Sequence, residues 1–200
     1  FHVGGAAQRG AEANNIESTA AGTVKLQDVS LVRGADGKPI VMSRSAELTI
    51  VNELDAERAR YRLPYGGKLF FEDGDTVNPG DVLIEWDPYT IPIITELEGI
   101  ANYVDLTDGV SVREVADEAT GIISREVIES KQTGNSANLR PRITMRDANG
   151  EVLNLSNGNE ARYFLPVGAI LSVENGAEVK AGDVVARIPV SYTHLTLPTT

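Results

Sequence analysis

Two histidines, His2 and His194, are the side chains of this sequence whose ordinary pKa lets them exchange protons near neutral pH. His2 stands at the very start, beside Phe1 and just before Gly4-Gly5, and His194 lies in an uncharged, Thr-rich run at the other end. There is no cysteine to act as a nucleophile, and no G-x-S-x-G turn, phosphate-cradling glycine loop or H-E-x-x-H pair. By itself the chain is therefore expected to catalyse nothing. One other group could do chemistry. Glu72, Asp73, Asp75 and Asp81 crowd into ten residues, and hard cations take several carboxylate oxygens.

The elements that carry those carboxylates are written twice. Residues 59–86 read ARYRLPYGGKLFFEDGDTVNPGDVLIEW and residues 161–188 read ARYFLPVGAILSVENGAEVKAGDVVARI, with 13 identities in 28 ungapped positions at a displacement of 102 residues. A fixed internal period marks a repeated structural unit. At the four acidic positions the second copy has Glu174, Asn175, Ala177 and Asp183, so two carboxylates vanish while the turn residues stay. Turn chemistry, not metal binding, is the expectation. Asp73-Gly74 and Asn175-Gly176, then Pro79-Gly80-Asp81 and Ala181-Gly182-Asp183, predict in each copy a meander of strand, turn, short strand, turn and strand. Leu63-Pro64 and Leu165-Pro166 suit a bend or a sheet edge, where the missing proline N–H is harmless. Trp86, the single tryptophan, is expected to anchor a core or an edge.

Length and composition set the outer bounds. Two hundred residues, 42% of them apolar, can bury one large or two small cores, and the repeat favours two. A formal net charge of −11 argues against gripping nucleic acid through its phosphates. Lack of cysteine fits the cytoplasm, no apolar run is long enough for a membrane span, and no signal peptide is evident. Because the first residue is Phe1, the chain is expected to be part of something longer.

Taken in order, residues 1–15 are rich in alanine and predict a short, marginal helix ending near Asn14-Asn15. From Gly22 the pattern turns to β: residues 23–33 and 39–43 flank Asp36-Gly37, and residues 47–50 alternate as a half-buried strand does. Further strands are expected within 91–104, 110–115 and 122–128, with residues 142–146 pairing across Asn149-Gly150 with 152–155. Residues 131–138 are polar and turn-rich, the natural hinge. The resulting division is a linker with a short helix (1–22), a first β-module (23–130), a second (131–189), and a tail (190–200) that resembles translated cloning or adapter sequence. The fold class expected is all-β.

Two resemblances bear on function. The V-x-x-G-D-V spacing and the T-E-L-E-G at 95–99 look like carrier domains that bear biotin or lipoate on a hairpin lysine. None of Lys25, Lys38, Lys68, Lys131 and Lys180 has the neighbours of the carrier motif, so the likeness is read as shared barrel-sandwich architecture. The other is more extensive. Residues 1–7 (FHVGGAA) look like the start of the trigger-loop region in the beta-prime subunit family of bacterial RNA polymerase. Tyr61 to Gly66, Trp86-Asp87-Pro88, residues 92–96 (PIITE), 117–121 (DEATG), Leu139-Arg140-Pro141 and 163–166 (YFLP) resemble, in the family's order, the large insertion within that loop.

This resemblance implies two sandwich-barrel hybrid modules on the tip of a loop that closes over the active centre during nucleotidyl transfer. It also implies that His2 approaches the nucleoside triphosphate. The partners implied are the rest of beta-prime and the beta, alpha and omega subunits, with DNA and RNA bound by the whole enzyme. No cofactor is expected in this stretch, and Mg2+ and Zn2+ are expected elsewhere in the parent subunit. The contrasting expectation is a free-standing acidic β-module that binds a protein through a strand edge.

Overall fold

A computed structural model describes residues 14–130 and 138–190. The expected helix at the start, His2, the hinge at 131–137 and residues 191–200 lie outside the described residues. The rest is built of strands, as the alternating and turn-punctuated sequence requires. Two compact units divide the chain, Phe1–Pro88 and Tyr89–Thr200.

The first unit contains β1 (Asn15–Glu17), β2 (Gly22–Gln27), β3 (Leu31–Arg33), β4 (Pro39–Val41), β5 (Glu47–Val51), β6 (Glu57–Arg62), β7 (Lys68–Leu69), β8 (Thr76–Val77) and β9 (Val82–Glu85). They form two antiparallel sheets, ordered β1-β9-β7-β4-β3 and β6-β5-β2-β8. Apolar side chains from both sheets meet in one core, with Val24, Leu48 and Ile50 from the second and Val41, Leu69 and Ile84 from the first, all fully buried. Trp86 packs partly buried against this core, as expected of an anchor.

The second unit contains β10 (Thr90–Ile94), β11 (Gly99–Val104), β12 (Val112–Ala116), β13 (Ile123–Val127), β14 (Arg142–Arg146), β15 (Arg162–Phe164), β16 (Ile170–Leu171), β17 (Glu178–Val179) and β18 (Val184–Pro189). Its sheets are ordered β10-β18-β16-β13-β12 and β15-β14-β11-β17. Strand for strand, that is the topology of the first unit. The duplication therefore extends over all nine strands, well beyond the 28 residues that align without a gap.

Three expectations are corrected here. The first module was expected to run to residue 130, but β10 pairs with β18, β11 with β14 and β17, and β13 with β12 and β16, so residues 89–130 belong to the second unit. The final 28 residues of each copy do not pair as a meander: β7 joins β9 in one sheet while β8, between them, crosses to pair with β2 in the other. Third, the pairing expected across Asn149-Gly150 shrinks to a single bridge between Arg146 and Val152, because β14 is already flanked by β11 and β15.

Packing differs between the copies in a compensated way. A Cβ on Gly67 would fall 2.5 Å from Ile84 Cδ1. The equivalent pair in the second unit is Ala169 with Ala186, one methyl gained and a large side chain lost at the paired positions. Close-packed interiors resist such changes singly. We expect Gly67→Ala to destabilise the first unit by about 1–3 kcal/mol and Ile84→Ala by about 2–5 kcal/mol. The double variant should lose clearly less than the sum, read by denaturant unfolding of the full chain; strict additivity would contradict the packing described.

Candidate functional site

The acidic cluster is the first place to look for chemistry, and each carboxylate has a structural task. Asp73 Oδ1 accepts the Leu26 N–H at 2.7 Å, Asp75 Oδ2 the Glu72 N–H at 2.8 Å and Asp81 Oδ2 the Asn78 N–H at 2.8 Å. Glu72 pairs with Arg33 at 2.8 Å. Two of these bonds recur in the second unit, where Asn175 Oδ1 accepts the Tyr103 N–H at 2.8 Å and Asp183 Oδ2 the Lys180 N–H at 2.9 Å. An amide oxygen serves as well as a carboxylate at the first of these positions, which explains why Asp73 can be answered by Asn175. The reading as turn chemistry rests on these bonds.

The turns share one geometry. In Glu72-Asp73-Gly74-Asp75, the Asp75 N–H closes back to the Glu72 carbonyl at 3.1 Å, and positive φ occurs only at Gly74, at 94°. This is the pattern of a type II turn, which needs glycine at its third position, not the doubly left-handed hairpin turn that an Asp-Gly pair first suggests. Gly176, at φ 88°, holds the same place in the second unit.

Tyrosine hydroxyls brace the start of each unit. Tyr61 Oη accepts the Thr19 N–H at 2.8 Å, and Tyr163 Oη accepts the Glu96 N–H at 3.2 Å. Lysine placement is likewise structural: Lys25 pairs with Asp55 at 3.0 Å, Lys68 with Asp36 at 2.7 Å, and Lys38 lies over the Phe70 ring at 4.3 Å. Lys180 opens the turn that Asp183 closes.

Where the units diverge is in charge on the face of β5-β6 and β14-β15. In the first unit the Arg60 guanidinium bonds Glu47 and Glu57, each at 2.6 Å. In the second, β14 and β15 place Arg142 where Glu47 stands and Phe164 where Arg62 stands, while Arg162 keeps the place of Arg60. Around the half-exposed Phe164 ring, the guanidinium carbons of Arg140, Arg142 and Arg162 lie 4.9, 5.9 and 6.0 Å from its centroid. Sequence reasoning missed this patch, because Arg140 reaches the ring from outside the strand and spacing alone does not bring it there.

The ion pairs of the first unit should show in titration. The Arg60 hydrogen bond holds the Glu57 carboxyl below its ordinary value, and Lys68 does the same for Asp36. A lowered carboxylate contributes stability above its unfolded pKa and loses it as pH falls through the folded value. Arg60→Gln should therefore raise the Glu57 carboxyl titration toward the ordinary glutamate range in NMR; an unmoved titration would contradict the pairing.

Comparison with known proteins gives this chain relatives. No family model matches the chain. It is similar to the DNA-directed RNA polymerase subunit beta' of Rickettsia canadensis (strain McKiel) and of Rickettsia felis (strain ATCC VR-1525 / URRWXCal2), at 51% identity over 193 residues in each. Against the same subunit of Rickettsia typhi (strain ATCC VR-144 / Wilmington) the identity is 50%. Each match covers 96% of this chain and 14% of the relative's length. The chain thus matches, over nearly all of its own length, one short segment of the beta' subunits of DNA-directed RNA polymerase.

Proposed function

We propose that this chain is an insertion within the trigger loop of the beta' subunit of a bacterial DNA-directed RNA polymerase, where it modulates nucleotide addition and elongation. The observation that carries the reading is identity at half the positions over nearly all of the chain. Two units of one topology agree with the paired sandwich-barrel modules that the sequence resemblance implies.

On this reading the chemistry of nucleotidyl transfer lies in the parent enzyme. Closing a lid excludes water and completes the catalytic groups. A folded body attached to that lid shifts its balance only through contacts that differ between the open and closed states. His2 is proposed as this chain's one contribution near the triphosphate. The Mg2+ and Zn2+ of the parent are proposed to lie elsewhere in it. Glu72, Asp73, Asp75 and Asp81 do not fit a magnesium role, since they are engaged by turn N–H groups and Arg33. The proposed partners are the rest of beta' and the beta, alpha and omega subunits, in the cytoplasm. With a net charge of −11, this segment should be repelled from DNA held by the whole enzyme. Among the described residues no helix is long and apolar enough to cross a membrane.

Removing the segment equivalent to residues 16–189 from the parent subunit should leave polymerisation possible but change pause lifetimes or elongation rate several-fold. Single-turnover and elongation assays read this directly, and unchanged kinetics would count against a regulatory insertion.

A further inference from the structure

We propose that the arginine-ringed Phe164 on the β14-β15 face is a docking surface for an acidic segment of a protein partner, one that presents carboxylates around an apolar side chain. This inference goes beyond the reading of the chain as a polymerase insertion and does not depend on it.

The contrast between the two units carries the argument. In the first, Glu47 and Glu57 neutralise Arg60 within the sheet. In the second, Arg142 replaces the first of those carboxylates, and Val152, which bridges Arg146 as Glu57 pairs with Val51, stands where the second does. Asp105 Oδ2 pairs with the Arg142 guanidinium at 3.3 Å and also accepts the Arg140 backbone N–H at 3.1 Å. Among the described residues, the guanidinium groups of Arg140 and Arg162 have no carboxylate within ion-pair range. In a chain with 29 acidic and 18 basic residues, that concentration is against the general balance. It also surrounds an aromatic ring that is 46% exposed.

Arginine forks bind carboxylates through paired hydrogen bonds, and an exposed phenylalanine offers the apolar contact that a purely ionic site lacks. Nucleic acid presents the same negative sign, but duplex DNA carries one charge per roughly 1.7 Å of axis, an extended array that the chain's overall negative charge opposes. A short acidic peptide feels mainly the local charges, because salt screens the rest beyond about 8–10 Å. The patch therefore favours a protein segment.

The test uses the full 200-residue chain, isotopically labelled, and two probes: a blocked peptide of four glutamates around a central leucine, and a short oligothymidylate. At about 0.15 M salt, the peptide should give saturable shifts at the Arg142, Arg162 and Phe164 amides. Arg162→Glu should weaken binding about tenfold, and Arg140→Glu, outside the strands, should do the same if the first variant perturbs the fold. Arg162→Lys should fall between. Arg58→Glu, an equal charge change in the first unit, should leave affinity within about twofold. No saturable shift, equal effects of Arg162→Glu and Arg58→Glu, or tighter binding of the oligothymidylate than of the peptide would each overturn the proposal.

Discussion

A docked turn holds each unit together. At Gly74 the chain passes across β2, and three hydrogen bonds fasten it there: Gly74 N–H to the Val24 carbonyl at 2.8 Å, Val24 N–H to the Asp75 carbonyl at 2.8 Å, and Leu26 N–H to Asp73 Oδ1 at 2.7 Å. In the second unit Gly176 donates to Ala101 at 2.7 Å, Ala101 to Ala177 at 2.9 Å, and Tyr103 to Asn175 Oδ1 at 2.8 Å. Everything that distinguishes these units from simple hairpins follows from this contact. It carries β8 or β17 out of the sheet of its sequence neighbours and onto the opposite sheet, so that one short stretch ties both layers to a common core. Buried backbone groups must find partners, and a strand of two residues can supply few. The side-chain oxygen at position 73 or 175 extends the pairing by one more bond.

Much of this was readable in the residues. The fold class, the turn glycines and the doubling all follow from 13 matched positions and the Gly-rich punctuation between apolar runs. The extent of the doubling was hidden by insertions. Hydrogen bonds made at the same places show equivalent residues displaced by 77 at Gly22 and Gly99, 86 at Val41 and Val127, 95 at Ala46 and Pro141, and 102 at Gly66 and Gly168. An ungapped comparison keeps only the last of these steps. On spacing alone the early strands of the second copy fall with the first, which puts the expected boundary at residue 130, whereas the units divide after Pro88. The crossing of β8 was equally hidden, since strand pattern gives a strand's faces but not its neighbours.

Duplicated scaffolds separate what the fold needs from what a surface can change. The turn acceptors at Asp73 and Asn175 and at Asp81 and Asp183, and the tyrosine braces, persist in both units, and core differences are balanced, as in Gly67 with Ile84 against Ala169 with Ala186. Charge on the outer face is not held: Glu47 becomes Arg142, and Arg62 becomes Phe164. The interiors are thus held while the exteriors diverge, in a chain that spans 14% of the length of the beta' subunits it matches.

Each unit depends on its docked turn, formed alike in both, and amide hydrogen exchange on the full chain tests this most directly. Gly74 and Gly176 are in turns at the surface, and Leu26 and Tyr103 receive only a side-chain acceptor there, so without docking these amides would exchange at loop rates. With the turns docked, all four should be protected, with Gly74 and Leu26 opening together with the Val24 and Leu48 core and Gly176 and Tyr103 with the Ile143 and Met145 core. Loop-rate exchange at Gly176 and Tyr103 beside a protected Gly74 and Leu26 would contradict it.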